Sequence, residues 1–129
     1  MGRGATLAGM GLYTPASARL ELVRLRPLLD ELVTVRADTA ELAASLTPGG
    51  EPTALGGLPE YKASAARLDE LVTEVQQPGI QLKGLAPLLL DFPADFDGVP
   101  VLLCWLEGDQ DLAWFHRADL GFAGRRPLP

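Results

Sequence analysis

Leu88-Leu89-Leu90-Asp91-Phe92, followed by Val99-Pro100-Val101-Leu102-Leu103-Cys104-Trp105-Leu106, decides the fold of this chain. Both runs are apolar at adjacent positions, too short for helices, and bounded by turn residues, Pro93 to Gly98 on one side and Gly108-Asp109 on the other. They read as strands of a sheet whose two faces are both at least partly covered. Ile80 to Lys83 forms a short strand before them, and Asp111 to His116 a fourth after them. The C-terminal third is therefore a small antiparallel sheet of three to four strands.

Upstream the period changes from sheet to helix. Thr14-Pro15 opens the first helix, with Thr as N-cap and Pro at the first helical position, where no N–H is needed. The apolar stripe then runs Leu25, Leu28, Leu32, Val35, Thr39, Leu42, Leu46, with Thr39 its one polar member. The spacings alternate three and four, as in a heptad. Pro27 removes one backbone bond and crowds the preceding turn, so the helix is expected to be kinked or broken there. Thr47 to Leu58 holds two prolines and four glycines and reads as a loop. A second helix follows from Leu58 or Pro59 to Gln77 with the stripe Tyr61, Ala65, Leu68, Leu71 or Val72, and Val75. Pro78-Gly79 stops it. Two helices with narrow stripes and a flexible link fold back as an antiparallel hairpin. The class is α+β: a helical hairpin over residues 14–77, then sheet and C-terminal tail over 79–129, as a single domain spanning 14–129.

Residues 1–13 are expected to be a flexible tail. Four glycines fall in the first eleven residues, but they complete neither a dinucleotide fingerprint nor a phosphate loop. Met10 is an alternative start.

The chain has 129 residues, a formal net charge of -6 and 47% apolar residues. That acidic balance disfavours nucleic acid, whose phosphates need clustered Lys and Arg. No apolar run approaches the length of a membrane span. A single cysteine rules out an internal disulfide, and a single histidine rules out motifs built on several. A cytoplasmic protein without a cofactor is expected.

The residues able to do chemistry lie in the last third: Lys83, Asp91, Cys104, Glu107, His116, Asp119, Arg125 and Arg126. Asp91, inside an apolar run, must emerge at a strand end or find a partner, with Lys83, His116, Arg125 or Arg126 available. His116 has Asp119 three residues on. The tail Gly121 to Pro129 offers two turns, the anchor Phe122 and the forked donors of Arg125 and Arg126, which suit either an anion or plain docking over a sheet edge. A metal site is not expected; its candidates are Asp91, His116 and Asp119. Cys104 drops out because a two-residue turn at Gly108-Asp109 sets Cys104 opposite Ala113. Trp105, Trp114 and His116 then share a face and Cys104 looks away. A three-residue loop with a bulge shifts the register and removes that objection.

Several blocks resemble a bacterial family known as domain of unknown function 2203. They are Tyr13-Thr14-Pro15-Ala16-Ser17-Ala18, Arg26-Pro27-Leu28-Leu29, Gly79-Ile80-Gln81-Leu82-Lys83-Gly84, Leu90-Asp91-Phe92-Pro93-Ala94, Val101-Leu102-Leu103-Cys104-Trp105, and the closing run from His116 through Gly121-Phe122-Ala123-Gly124-Arg125-Arg126-Pro127-Leu128. Gly84 stands where the family usually has Asp, and Phe115 where it commonly has Trp. The resemblance covers roughly residues 12 to 128 and implies a small bacterial cytoplasmic protein, with no activity or site residue carried over.

Two functions remain open. The heptad-like stripe and thin core point to a non-enzymatic protein that associates with itself, as a homodimer, or with another protein. The alternative is a small-ligand or metal-binding protein or enzyme, its site formed by Asp91, His116 and the Arg125/Arg126 tail.

Overall fold

The computed structural model describes residues 12–129. The stretch up to residue 11, with the alternative start Met10, lies outside the described residues. Tyr13, placed above with the tail, donates its N–H to the carbonyl of Pro93 at 2.6 Å and its hydroxyl to that of Pro78. The chain forms two units. One is Arg26–Val75; the other joins the chain up to Leu25 with Gln76–Pro129.

Helix α1 runs Pro15–Ser45 and belongs partly to each unit. Its start is a reciprocal cap. Thr14 Oγ1 accepts the N–H of Ser17 at 3.1 Å, and Ser17 Oγ accepts that of Thr14 at 2.9 Å. No break occurs at Pro27, which lies inside one continuous helix. Pro27 and Val23, whose carbonyl loses its partner, both lie on the exposed side of the helix. The buried stripe is Ala18, Leu22, Leu25, Leu29 and Leu32, then Leu42. Leu29 thus replaces the expected Leu28, a shift of one position around the helix.

Helix α2 spans Leu58–Gln76, and Glu60 reaches back to the N–H of Gly57 at 2.7 Å to cap it. Within the first unit, Leu71 and Val75 of α2 and Leu32 and Leu42 of α1 are buried. Arg67 grips Glu31 with two bonds of 2.8 Å. Thr39, the polar member of the stripe, donates to the carbonyl of Val35 at 2.7 Å, so Ser64 donates to Thr39, at 2.6 Å. The interior hydroxyls are therefore satisfied within the antiparallel hairpin.

In the second unit, β1 (Gln81–Leu85), β2 (Leu88–Phe96), β3 (Val99–Leu106), β4 (Trp114–Arg117) and β5 (Arg126–Pro127) form one antiparallel sheet in chain order. The strand count exceeds the expectation by β5, which the tail contributes by pairing with β4. Strand β2 also runs four residues beyond Phe92, through Pro93, which had been read as the start of a turn. The turn is Asp97-Gly98, with φ of 55° and 84°, the left-handed pair of a tight hairpin. Phe96 pairs with Val99 across it. By antiparallel alternation, Pro93 and Pro100 occupy positions whose N–H would point away from the β2–β3 ladder, so no bond of that hairpin is lost.

Alternation also sorts the faces. Leu88, Leu90, Phe92 and Ala94 of β2 share the first face with Val101, Leu103 and Trp105 of β3, and all are buried. The ring of Tyr13 meets Phe92 edge-on at 5.4 Å between centroids. The second face carries Asp91, Leu102, Cys104, Trp114 and His116.

Candidate metal centre

The register of β3 on β4 decides which side chains meet. Cys104 pairs with Trp114 and Leu102 with His116. This corrects the pairing of Cys104 with Ala113 by one residue, which is enough to turn every side chain of β4 over. The connection from Glu107 to Ala113 is not a two-residue turn. A turn does form, since Asp109 donates its N–H to Leu106 at 2.8 Å and its carboxylate accepts the N–H of Leu106 at 3.0 Å. The chain then dips instead of pairing. Leu112 is fully buried, and its carbonyl accepts two bonds from Arg19 of α1 at 3.2 and 3.0 Å. That anchor delays β4 until Trp114.

Three strands thus deliver Asp91, Cys104 and His116 to one place on the second face. Cys104 is 0% exposed and the other two 2%. One potential ligand atom from each lies within 4.8 Å of the others, and among the described residues no further His, Cys, Asp or Glu joins them. Lys83 approaches from β1. It is the extra residue of a bulge between Leu82 and Gly84, and its Nζ stands 3.3 Å from Asp91 Oδ2. Gln81 pairs with Asp91, and Lys83, two residues on, falls on the same face.

The hydrogen bonds around the cluster leave something unpaid. Nδ1 of His116 lies 2.9 Å from the carbonyl oxygen of Arg117. A carbonyl only accepts, so Nδ1 carries a proton. Nε2 then points its lone pair at Asp91 Oδ2, 3.4 Å away, which is also an acceptor. A proton on either atom, or a metal ion between them, satisfies that contact. A second proton would serve Oδ2, which Lys83 already serves, and leave Oδ1 as it is: fully buried and without a hydrogen-bond donor. A metal ion serves all the atoms at once. A backbone carbonyl on the far ring nitrogen is the usual way a ligating histidine is oriented.

Burial pushes the Cys104 thiol up to about 12, and the neighbouring Asp91 carboxylate adds to the rise. The thiol alone is therefore neutral and a poor nucleophile. This has a measurable consequence. Between about pH 8.5 and 12 the folded chain keeps a proton that the unfolded chain loses, so unfolding free energy should fall with pH by about 1.4 kcal/mol per unit. Urea unfolding should show little change between pH 7 and 8 and approach this slope between pH 9 and 10, and Cys104→Ala should flatten it.

The tetrahedral bond lengths of a zinc-type ion imply ligand separations of about 3.3–3.8 Å. Bringing the three atoms in from within 4.8 Å needs side-chain shifts of about an ångström. The donor set of one nitrogen, one sulfur and one oxygen suits such a borderline ion.

The remaining sequence candidates lie elsewhere. Asp119 is bound by Arg117 at 3.0 and 2.6 Å on the surface, so the carboxylate beside His116 is Asp91. Arg125 stacks between Trp114 and Phe122, 4.5 and 4.7 Å from the ring centroids, and reaches Asp109 at 3.5 Å. It closes the second face over Trp114, the residue opposite Cys104, without touching Asp91. Arg126 is exposed in β5, opposite Phe115. Glu107 caps β2 by accepting the N–H of Leu88 at 2.8 Å. Cys104, set aside on register, is the residue the sequence reading left out. The apolar Leu112 so soon after the turn was the available sign that pairing does not resume at once.

Fold and cluster define the class: a small α+β protein whose meander sheet buries an aspartate, a cysteine and a histidine together. The chain belongs to the family described as DUF2203, uncharacterized conserved protein, which it matches over residues 11–128. No curated protein and no solved structure matches it. Among the described residues no helix is long and apolar enough to cross a membrane.

Proposed function

We propose that the protein binds a divalent transition-metal ion of the zinc type through Asp91, Cys104 and His116. The observation that carries this reading is the convergence of three buried potential ligand atoms within 4.8 Å of one another, beside Asp91 Oδ1, which is buried and has no hydrogen-bond partner. Leaving such a group unserved costs about 1–3 kcal/mol, and a cation repays it. Metal binding would take the proton from Cys104. Of the helix stripe that suggests self-association, Leu32 and Leu42 are buried and Leu46 is 45% exposed.

Cobalt tests the reading directly. Adding Co2+ to reduced, chelator-stripped protein should give visible d–d bands of tetrahedral intensity and a near-ultraviolet thiolate-to-cobalt band, saturating at one equivalent. His116→Ala should weaken both, and Cys104→Ser should remove the thiolate band. A wild-type protein that stays colourless through a large excess of Co2+ overturns the proposal.

A further inference from the structure

The three side chains leave a tetrahedral ion one ligand short, and the charges around it say what kind of group completes it. We propose that the centre keeps its fourth position for a small anionic ligand, a carboxylate or a phosphate oxygen, whose charge Lys83 balances; this rests on the metal reading above.

Zinc sites closed for structure have four protein ligands, whereas three leave a position to an external group. Among the described residues only Asp91, Cys104 and His116 converge. Charge comes next. A divalent ion is neutralised by the Asp91 carboxylate and the Cys104 thiolate. The ammonium of Lys83 then loses its counter-charge to the metal while staying close to the carboxylate it faced. One more negative charge restores neutrality, and a charge-assisted bond from Lys83 would hold it.

Access points the same way. Ligand side chains of Asp91 and His116 are each 3% exposed, but the Lys83 side chain is 45% exposed with its Nζ 3.3 Å from Asp91 Oδ2. Lys83 is thus the exposed neighbour of the cluster and marks the side from which a small anion would approach. The opposite approach, over Trp114, is closed by Arg125, whose own charge is met by Asp109. Finally, Lys83 lies two residues from Gln81, the partner of Asp91 across the strands, so strand alternation sets it on the face of the centre.

The test is a titration of the cobalt-loaded protein with azide, acetate and inorganic phosphate. Acetate or phosphate should move the d–d bands saturably, and the two compared tell which oxygen anion the site prefers; a response to azide alone overturns the oxygen-anion assignment. Lys83→Met should still bind Co2+ but need at least about tenfold more anion for half-saturation, the worth of one charge-assisted bond. Lys83→Arg should need less anion than Lys83→Met. Bands that none of the three anions moves in wild type, or that move at equal concentrations in Lys83→Met, overturn the inference while the metal reading stands. Wild-type protein that shows no cobalt bands at all removes both.

Discussion

Asp91→Asn should make the protein more stable, by about 1–3 kcal/mol, when both forms are unfolded in urea at neutral pH with excess chelator. Carboxylate and amide have the same shape, so packing on the second face is unchanged. What changes is the pairing with His116. Its Nδ1 is committed to the carbonyl of Arg117, so in the neutral ring Nε2 presents a lone pair to Oδ2 of Asp91. An amide nitrogen in that place donates to Nε2 and ends the confrontation of two acceptors. The buried charge also disappears, and Lys83, half in solvent, returns to water at small cost. The same substitution should cut cobalt affinity by more than the roughly 10–100-fold typical of losing a group that only orients a ligand. A residue that lowers stability and is needed for binding is what a functional site looks like. If Asp91→Asn instead destabilises the protein, the ring carries a second proton and pairs with Asp91 as an ion, and the case for the metal loses one of its supports.

Phe92→Ala should cost about 3–5 kcal/mol. Phe92 is fully buried on the first face, centred in the longest strand, and takes the edge of Tyr13. Leu90 and Ala94 flank it along β2, and Leu103 stands opposite. These neighbours are held by strand pairing and cannot close in on the space a benzyl group leaves. Equilibrium urea unfolding checks the value. A loss below about 2 kcal/mol would mean that the face collapses around the gap.

Much of this architecture can be read from residue order. Thr14-Pro15, Pro78-Gly79 and the three-four spacings locate the helices because capping and periodicity are local properties. The strands at Leu88 and Val99 follow from short apolar runs between turn residues. What was not legible depended on contacts between distant residues. Pro27 passes inside a helix because its side of α1 faces water, which no local pattern tells. Pro93 stays in a strand because its missing donor points away from the hairpin ladder, which requires knowing the turn that follows. The candidate centre shows the same division. Asp91 and His116 stand out as polar groups in apolar surroundings. Whether Cys104 joins them depends on one residue of register. That register is set by Leu112 entering the core and by Arg19, far away in sequence, holding its carbonyl.

The single thiol of the chain lies at 0% exposure within the cluster. No alkylating reagent can reach it without local or global opening. Covalent labelling of Cys104 therefore counts opening events at one defined place, with no second cysteine to blur the signal. When closing outpaces the reagent, the labelling rate gives the free energy of that opening directly. Followed against urea, it tells whether the second face opens alone or only with the whole sheet. Any ligand that holds the cluster shut should slow labelling in proportion to its binding, so the residue that reports on the centre is one of its own members.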